Sequence, residues 1–156
     1  LWTIRMTNPA ADFMLGLAGD PGTLQQGSGF GDAPNLALLT VHPQGLRRCI
    51  ANWSEVAGPF ARRLRLERAA SVDAARQALF DELIELAGQS TEEPPLSRDL
   101  QPVLPLVVAL DDLRLSLFSV ISTLGTPQDI TADELRIESF YPADAVTAAF
   151  FRTTLG

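Results

Sequence analysis

The order of apolar and polar positions divides the chain into a helical first half and a strand-like second half. Trp2, Ile4 and Met6 alternate with Thr3, Arg5 and Thr7, a period of two that predicts a half-buried strand. Asn8-Pro9 follows, pairing a capping residue with a proline suited to the first helical position, and the predicted helix through Leu15 stops at Gly16. Gly19 to Pro34 is rich in Gly, Gln and Asp and reads as a loop. Leu36 to Val41 is a short apolar run, a helical turn or a strand, interrupted by His42-Pro43, and a helix follows over Leu46 to Ile50.

Asn52-Trp53-Ser54-Glu55 resembles a capping box with Asn in place of Ser or Thr. The helix it opens carries Trp53, Val56, Ala57, Phe60 and Leu64 at helical spacing, with Pro59 expected to kink it. Ser71 is the expected cap of the next helix, which puts Ala75, Leu79, Leu83 and Leu86 on one side and ends at Gly88. Gln89 to Pro102 is a polar connection. Beyond it, Val103 to Leu110 and Leu113 to Thr123 read as a hairpin closed by Asp111-Asp112. Gly125 to Asp129 is a loop, and Leu135 to Phe140 is a third long strand. Asp144 caps a terminal helix from Ala145 to about Thr153.

One strand, several helices, three antiparallel strands and a helix define an α+β class, with helices packed on one face of an antiparallel sheet. The apolar face of that sheet is expected to carry Trp2, Ile4, Met6, Leu113, Leu115, Leu117, Leu135 and Ile137. A length of 156 residues suits a single domain over 1–156 with a real core. The first residue is Leu1, which suggests a fragment or processed chain whose preceding segment carries an output function.

Charge and residue inventory narrow the chemistry. The formal net charge is −7, whereas duplex-binding surfaces are usually basic, so this chain is a poor DNA binder by itself. Between Arg47 and Arg76 seven arginines stand against three acids, a solvated helix face or a contact surface. Nothing reads as a signal peptide or a membrane span. Cys49 and His42 are the only residues of their kinds, so no intrachain disulfide and no Cys/His zinc site can form, in keeping with a cytoplasmic location. A catalytic triad would have to use His42, which sits in a turn-like Val41-His42-Pro43. Glu134 and Glu138 share a strand face expected to be solvated, which is a poor setting for acid–base work. Gly27 to Gly31 lacks the strand and the Lys-Ser or Lys-Thr of a phosphate loop. An enzyme is therefore not expected, nor a cofactor.

Several stretches in order carry a resemblance to a known family. They are Asn8-Pro9-Ala10-Ala11, Pro34-Asn35-Leu36-Ala37-Leu38-Leu39, His42-Pro43-Gln44-Gly45-Leu46-Arg47, Ile50-Ala51-Asn52-Trp53-Ser54-Glu55-Val56-Ala57, Pro102-Val103-Leu104-Pro105-Leu106, and the run from Ser122 to Thr131 leading into Glu134 to Asp144. Together they resemble the MmyB-like transcription regulator ligand-binding domain over nearly the whole chain. The resemblance implies a PAS-like fold. It also implies a helix-turn-helix DNA-binding domain upstream of Leu1 in a bacterial parent protein, and a small apolar ligand with fatty acids as the class. DNA would then be engaged only through the missing domain.

A PAS-like pocket lies between the inner sheet face and the helices, mostly apolar with a few polar groups. The candidate ligand-binding residues are Met6, Phe13, Trp53, Phe60, Leu117 and Ile137, with hydroxyls from Ser119, Thr123 and Ser139. Trp53 stands out because a buried indole N–H needs a partner. The alternative is a PAS-like dimerisation module with a filled core and no ligand. Whether this domain or the missing one dimerises is left open.

Overall fold

The computed structural model describes residues 2–26, 28–89, 105–123 and 135–155. The chain divides into two compact units, Leu1–Gln101 and Pro102–Gly156. The first is helical and the second holds the sheet, so the class is α+β.

In the helical unit the predicted first strand is not a sheet strand. Residues 2–4 run extended beside 34–36: Thr3 forms an isolated bridge with Asn35, Ile4 N–H donates to the Pro34 carbonyl (2.8 Å), and Leu36 N–H donates to the Trp2 carbonyl (2.8 Å). Trp2 and Ile4 are half-buried against another stretch of this unit, whereas Met6 is exposed, so the expected alternation does not extend to it. Helix α1 (Pro9–Gly16) starts as expected, with Asn8 Oδ1 accepting from Ala11 N–H at 2.8 Å and Pro9 at the first position. The predicted loop 19–34 contains a short helix, α2 (Pro21–Gln25), because Asp20 caps Gly22 and Thr23 and Pro21 presets the first turn. The ambiguous run is helix α3 (Leu36–Val41), capped by Asn35 Oδ1 at Leu38 N–H (3.0 Å). Leu46–Cys49 is a single 3-10 turn.

Helix α4 (Trp53–Ala70) continues through Pro59. Asn52 does not cap its backbone; its amide reaches the Glu55 carboxylate instead (3.3 Å). Helix α5 (Ala74–Leu86) is capped not by Ser71 but by Asp73, whose Oδ1 accepts from Ala75 and Arg76 N–H at 2.9 and 3.4 Å. Ser71 Oγ accepts from Asp73 N–H instead (3.3 Å), so the hydroxyl shapes the turn and the carboxylate takes the helix. At its far end Gly88 N–H donates to the Glu85 carbonyl and Gln89 N–H to the Ile84 carbonyl, with Gly88 at φ +74. That is the double closure for which glycine is favoured.

The core of this unit joins Ala37, Leu38 and Val41 of α3, Ala61 and Leu64 of α4, and Phe80, Leu83 and Ile84 of α5. Alanines at 57 and 61 on the buried stripe of α4 leave room for the larger side chains of its neighbour. Each buried Leu or Ile contributes about 1.5–3 kcal/mol relative to exposure.

The second unit is a three-stranded antiparallel sheet in the order β1 (Leu106–Leu110), β2 (Leu113–Thr123), β3 (Arg136–Pro142), followed by α6 (Ala145–Leu155). A two-residue turn joins β1 to β2, with Asp111 at φ +50, a conformation that Asp tolerates better than most residues. The register sets Leu115 opposite Val108 and Leu117 opposite Leu106, and Leu115, Leu117 and Val108 are buried. Ile137, however, faces Ser122. Directly opposed residues share a face, and positions 117 and 122 lie on opposite faces of β2. Leu135 and Ile137 therefore do not extend the Leu115–Leu117 face; Glu138, opposite Ile121, does. The expected apolar face is corrected accordingly, and Trp2, Ile4 and Met6 are not in the sheet at all. Helix α6 starts where Asp144 Oδ1 accepts from Thr147 N–H (2.7 Å), and the buried Thr147 Oγ1 accepts from Ser116 N–H of β2 (2.9 Å).

Candidate functional site

The two units present different surroundings for the candidate residues. In the helical unit, Trp53 and Phe60 lie seven residues apart on α4, hence on one helix face. Both are half-buried and pack against the core. The Arg47 guanidinium sits over the Trp53 ring at 5.2 Å and its Nη1 donates to the Leu86 carbonyl at 2.6 Å. This fixes the start of α4 against the end of α5. Phe60 meets the Trp2 ring edge-on, with centroids 5.3 Å apart. Phe13 is half-buried on α1. Met6 is 91% exposed, beyond the paired part of the N-terminal segment.

In the sheet unit, Leu117 is buried (1% exposed) in the middle of β2, and Ser119, two residues on, shares its face but is exposed. Thr123 ends β2 opposite Arg136; its side chain lies outside the described part. Ile137, half exposed, and Ser139 occupy the other face. The structure thus brings Trp53 and Phe60 together, and Leu117 with Ser119, within their own units. The loop at Gly125–Thr131 and Glu134 lie outside the described residues.

A residue that the pattern placed in a sheet turns out to be the hub of a polar–aromatic cluster. Trp2 Nε1–H donates to Glu67 Oε2 at 2.8 Å, the Arg63 guanidinium lies 3.8 Å from the Trp2 ring centroid, and Arg63 pairs with Glu67 at 3.6 Å. Trp2 therefore clips the N-terminal segment onto α4 beside Phe60. The available signal was the Arg63/Glu67 spacing of four on a predicted helix, which makes a ready-made platform for an indole with its N–H and its ring face both satisfied.

Two clefts lie among the described residues. One, of about 270 Å³ in the helical unit, is lined by Ile4, Leu15, Pro21, Pro34 and Leu39, with Thr7 and Asp12 among its polar lining. The other, of about 380 Å³ in the sheet unit, is lined by Val107, Arg114, Ser116, Asp144 and Val146. Of the candidates whose side chains are described, Met6, Phe13, Trp53, Phe60, Leu117, Ser119 and Ile137, none lines either cleft. His42 Nδ1 accepts from Gln44 N–H at 3.1 Å in the turn after α3. Among the described residues no group of three or more His, Cys, Asp or Glu is placed to hold a metal ion, and no helix is long and apolar enough to cross a membrane.

The model of one protein family matches residues 1–153, nearly the whole chain; its description is MmyB-like transcription regulator ligand binding domain. Neither a curated protein nor a solved structure matches.

Proposed function

Because the chain belongs to the MmyB-like transcription regulator ligand-binding domain family, we propose that residues 1–156 act as the PAS-like sensing domain of a bacterial helix-turn-helix regulator, taking up a small apolar molecule such as a fatty acid. The observation that carries this reading is the family match over residues 1–153. The half-buried Trp53 and Phe60 on one face of α4 support an apolar ligand, and the net charge of −7 supports leaving DNA contact to another domain of the parent protein in the cytoplasm. Binding one conformation better than another would shift the population competent to engage DNA. No catalytic role is proposed.

A filled core favours one alternative, a dimerisation module without a ligand: Ala61, Leu64, Leu83 and Ile84 are fully buried. Native mass spectra of the purified chain, before and after denaturation, separate the two. A species released in the mass range of a fatty acid supports the sensing role. A clean protein mass, with tryptophan fluorescence unmoved by octanoate, octanol or octylamine and a dimer in sedimentation, overturns it in favour of the module.

A further inference from the structure

We propose that residues 28–34 form a strap whose Phe30 side chain holds, in the helical core, the place taken by the apolar tail of a fatty-acid ligand, and that the Asn35 side-chain amide donates to the ligand's carboxylate. This rests on the reading that the chain binds a small apolar molecule, and it names the place and the anchor. The core of the helical unit is filled, so a ligand enters it only where a side chain leaves. Among the described residues, the other buried members of that core are carried by α3, α4, α5 or Ala87 at the end of α5. Phe30 comes from a stretch outside any helix, 7% exposed between Gly29 and Gly31, the latter at φ +81. Moving it breaks no helical hydrogen bond. The benzyl group of Phe30 and the alkyl tail of octanoate have the same number of carbons, so the exchange nearly conserves volume.

One buried side chain latches the strap. Gln25 Nε2 donates to the Gly31 and Ala33 carbonyls at 3.0 and 2.9 Å, and its Oε1 accepts from Asn35 N–H at 2.7 Å. The strap lies close on α5: a Cβ added at Gly29 would come within 2.9 Å of Leu79 Cδ2. Just past it, Asn35 is fully buried and its amide is half used. Oδ1 accepts from Leu38 N–H at 3.0 Å, which fixes the way the amide faces, and Nδ2 has no partner among the described residues. A buried donor left unpaired is costly, and a carboxylate supplies the acceptor it lacks. Leu38 links the two features: its N–H holds the Asn35 amide, and its side chain belongs to the core that Phe30 completes. Trp53 and Phe60 pack against that same core.

The test is octanoate titrated into the 156-residue chain with Phe30 alone fluorinated on its ring, followed by fluorine NMR and calorimetry. As octanoate saturates, the fluorine signal is expected to become sensitive to exchange of the solvent for heavy water, as a ring leaving the core must. Gln25→Met removes the latch without making a cavity, raises the open fraction, and tightens octanoate by about tenfold. Asn35→Ser keeps a capping oxygen for α3 but loses Nδ2, and weakens octanoate by about tenfold. A fluorine signal that stays buried at saturation overturns the strap, and this readout needs no altered core. Affinity unmoved by Gln25→Met overturns the latch, and affinity unmoved by Asn35→Ser overturns the anchor. If octanoate does not bind at all, the strap is refuted: a lipid released in the native spectra then leaves the sensing role standing, and no release removes both.

Discussion

Replacing Trp2 by Phe tests whether the N-terminal segment is held by a specific polar contact or by general burial. The change keeps an aromatic ring against Phe60 and under Arg63 but removes the indole N–H that donates to Glu67 at 2.8 Å. A hydrogen bond to a charged acceptor is worth about 1.5–3 kcal/mol, and partial exposure of both partners lowers that towards the bottom of the range. Trp2→Phe is therefore expected to destabilise the helical unit by about 1–2 kcal/mol, including the smaller ring. Glu67→Gln loses the same charged acceptor and also weakens the contact with Arg63 at 3.6 Å, so its cost alone is ambiguous. The double variant resolves it: once the N–H is gone, Glu67→Gln should cost about 1 kcal/mol less than in the parent chain. Urea unfolding followed by far-ultraviolet circular dichroism gives all four stabilities, and fluorescence from Trp53 in the Trp2→Phe background reports the same unit. If the two substitutions add within about 0.3–0.5 kcal/mol, Trp2 is held by packing alone and the clip described above is wrong.

Three further outcomes follow from other parts of the structure. Gly45→Ala would place a Cβ 2.3 Å from the Leu39 carbonyl oxygen, so it should cost at least about 3 kcal/mol in urea unfolding, while Gly16→Ala should be neutral or slightly stabilising. Leu83→Ala, in the middle of the helical core, should cost about 2–5 kcal/mol, whereas Leu66→Ala, 63% exposed, should stay within about 0.5 kcal/mol; similar costs would disprove the described face of α4 and α5. Asp144 accepts from Thr147 N–H, which holds its carboxyl below the usual range. Its contribution to α6 is thus fully present above the ordinary carboxylate pKa of about 3.9 and is lost as pH falls through the depressed value, so a carboxyl titration by NMR that shows an unshifted midpoint would rule out the cap.

Features written within a few residues were legible in the sequence. Asn8-Pro9, Asp144 and Gly88 mark helix ends through contacts that span no more than four or five positions, and all three do so in the structure. The cap of α5 was missed for a local reason as well. Ser71 and Asp73 compete for the same turn, and the carboxylate, able to accept from two N–H groups at once, takes the helix end. Within the stretch read as a loop, Asp20-Pro21 is the same kind of start signal as Asn8-Pro9, obscured by the glycines around it.

What was not legible depends on partners distant in sequence. Trp2 and Ile4 are half-buried while Met6 is exposed, and the residues that cover the first two, Pro34 to Leu36 and then Phe60, Arg63 and Glu67, are roughly thirty to sixty-five positions away. In the sheet, burial along β3 does not follow the expected alternation, since Ile137 is exposed, and which set joins Leu115 and Leu117 is decided by register, where a shift of one residue exchanges the faces. The candidate site inherits both difficulties. Trp53 and Phe60 could be grouped because they lie on one helix, where spacing alone implies a shared face, whereas Leu117 and Ile137 could be grouped only by assuming a register that the pairing of Ile137 with Ser122 contradicts. The cleft of the helical unit was harder still, since its lining comes from an extended segment, three helices and the turns between them.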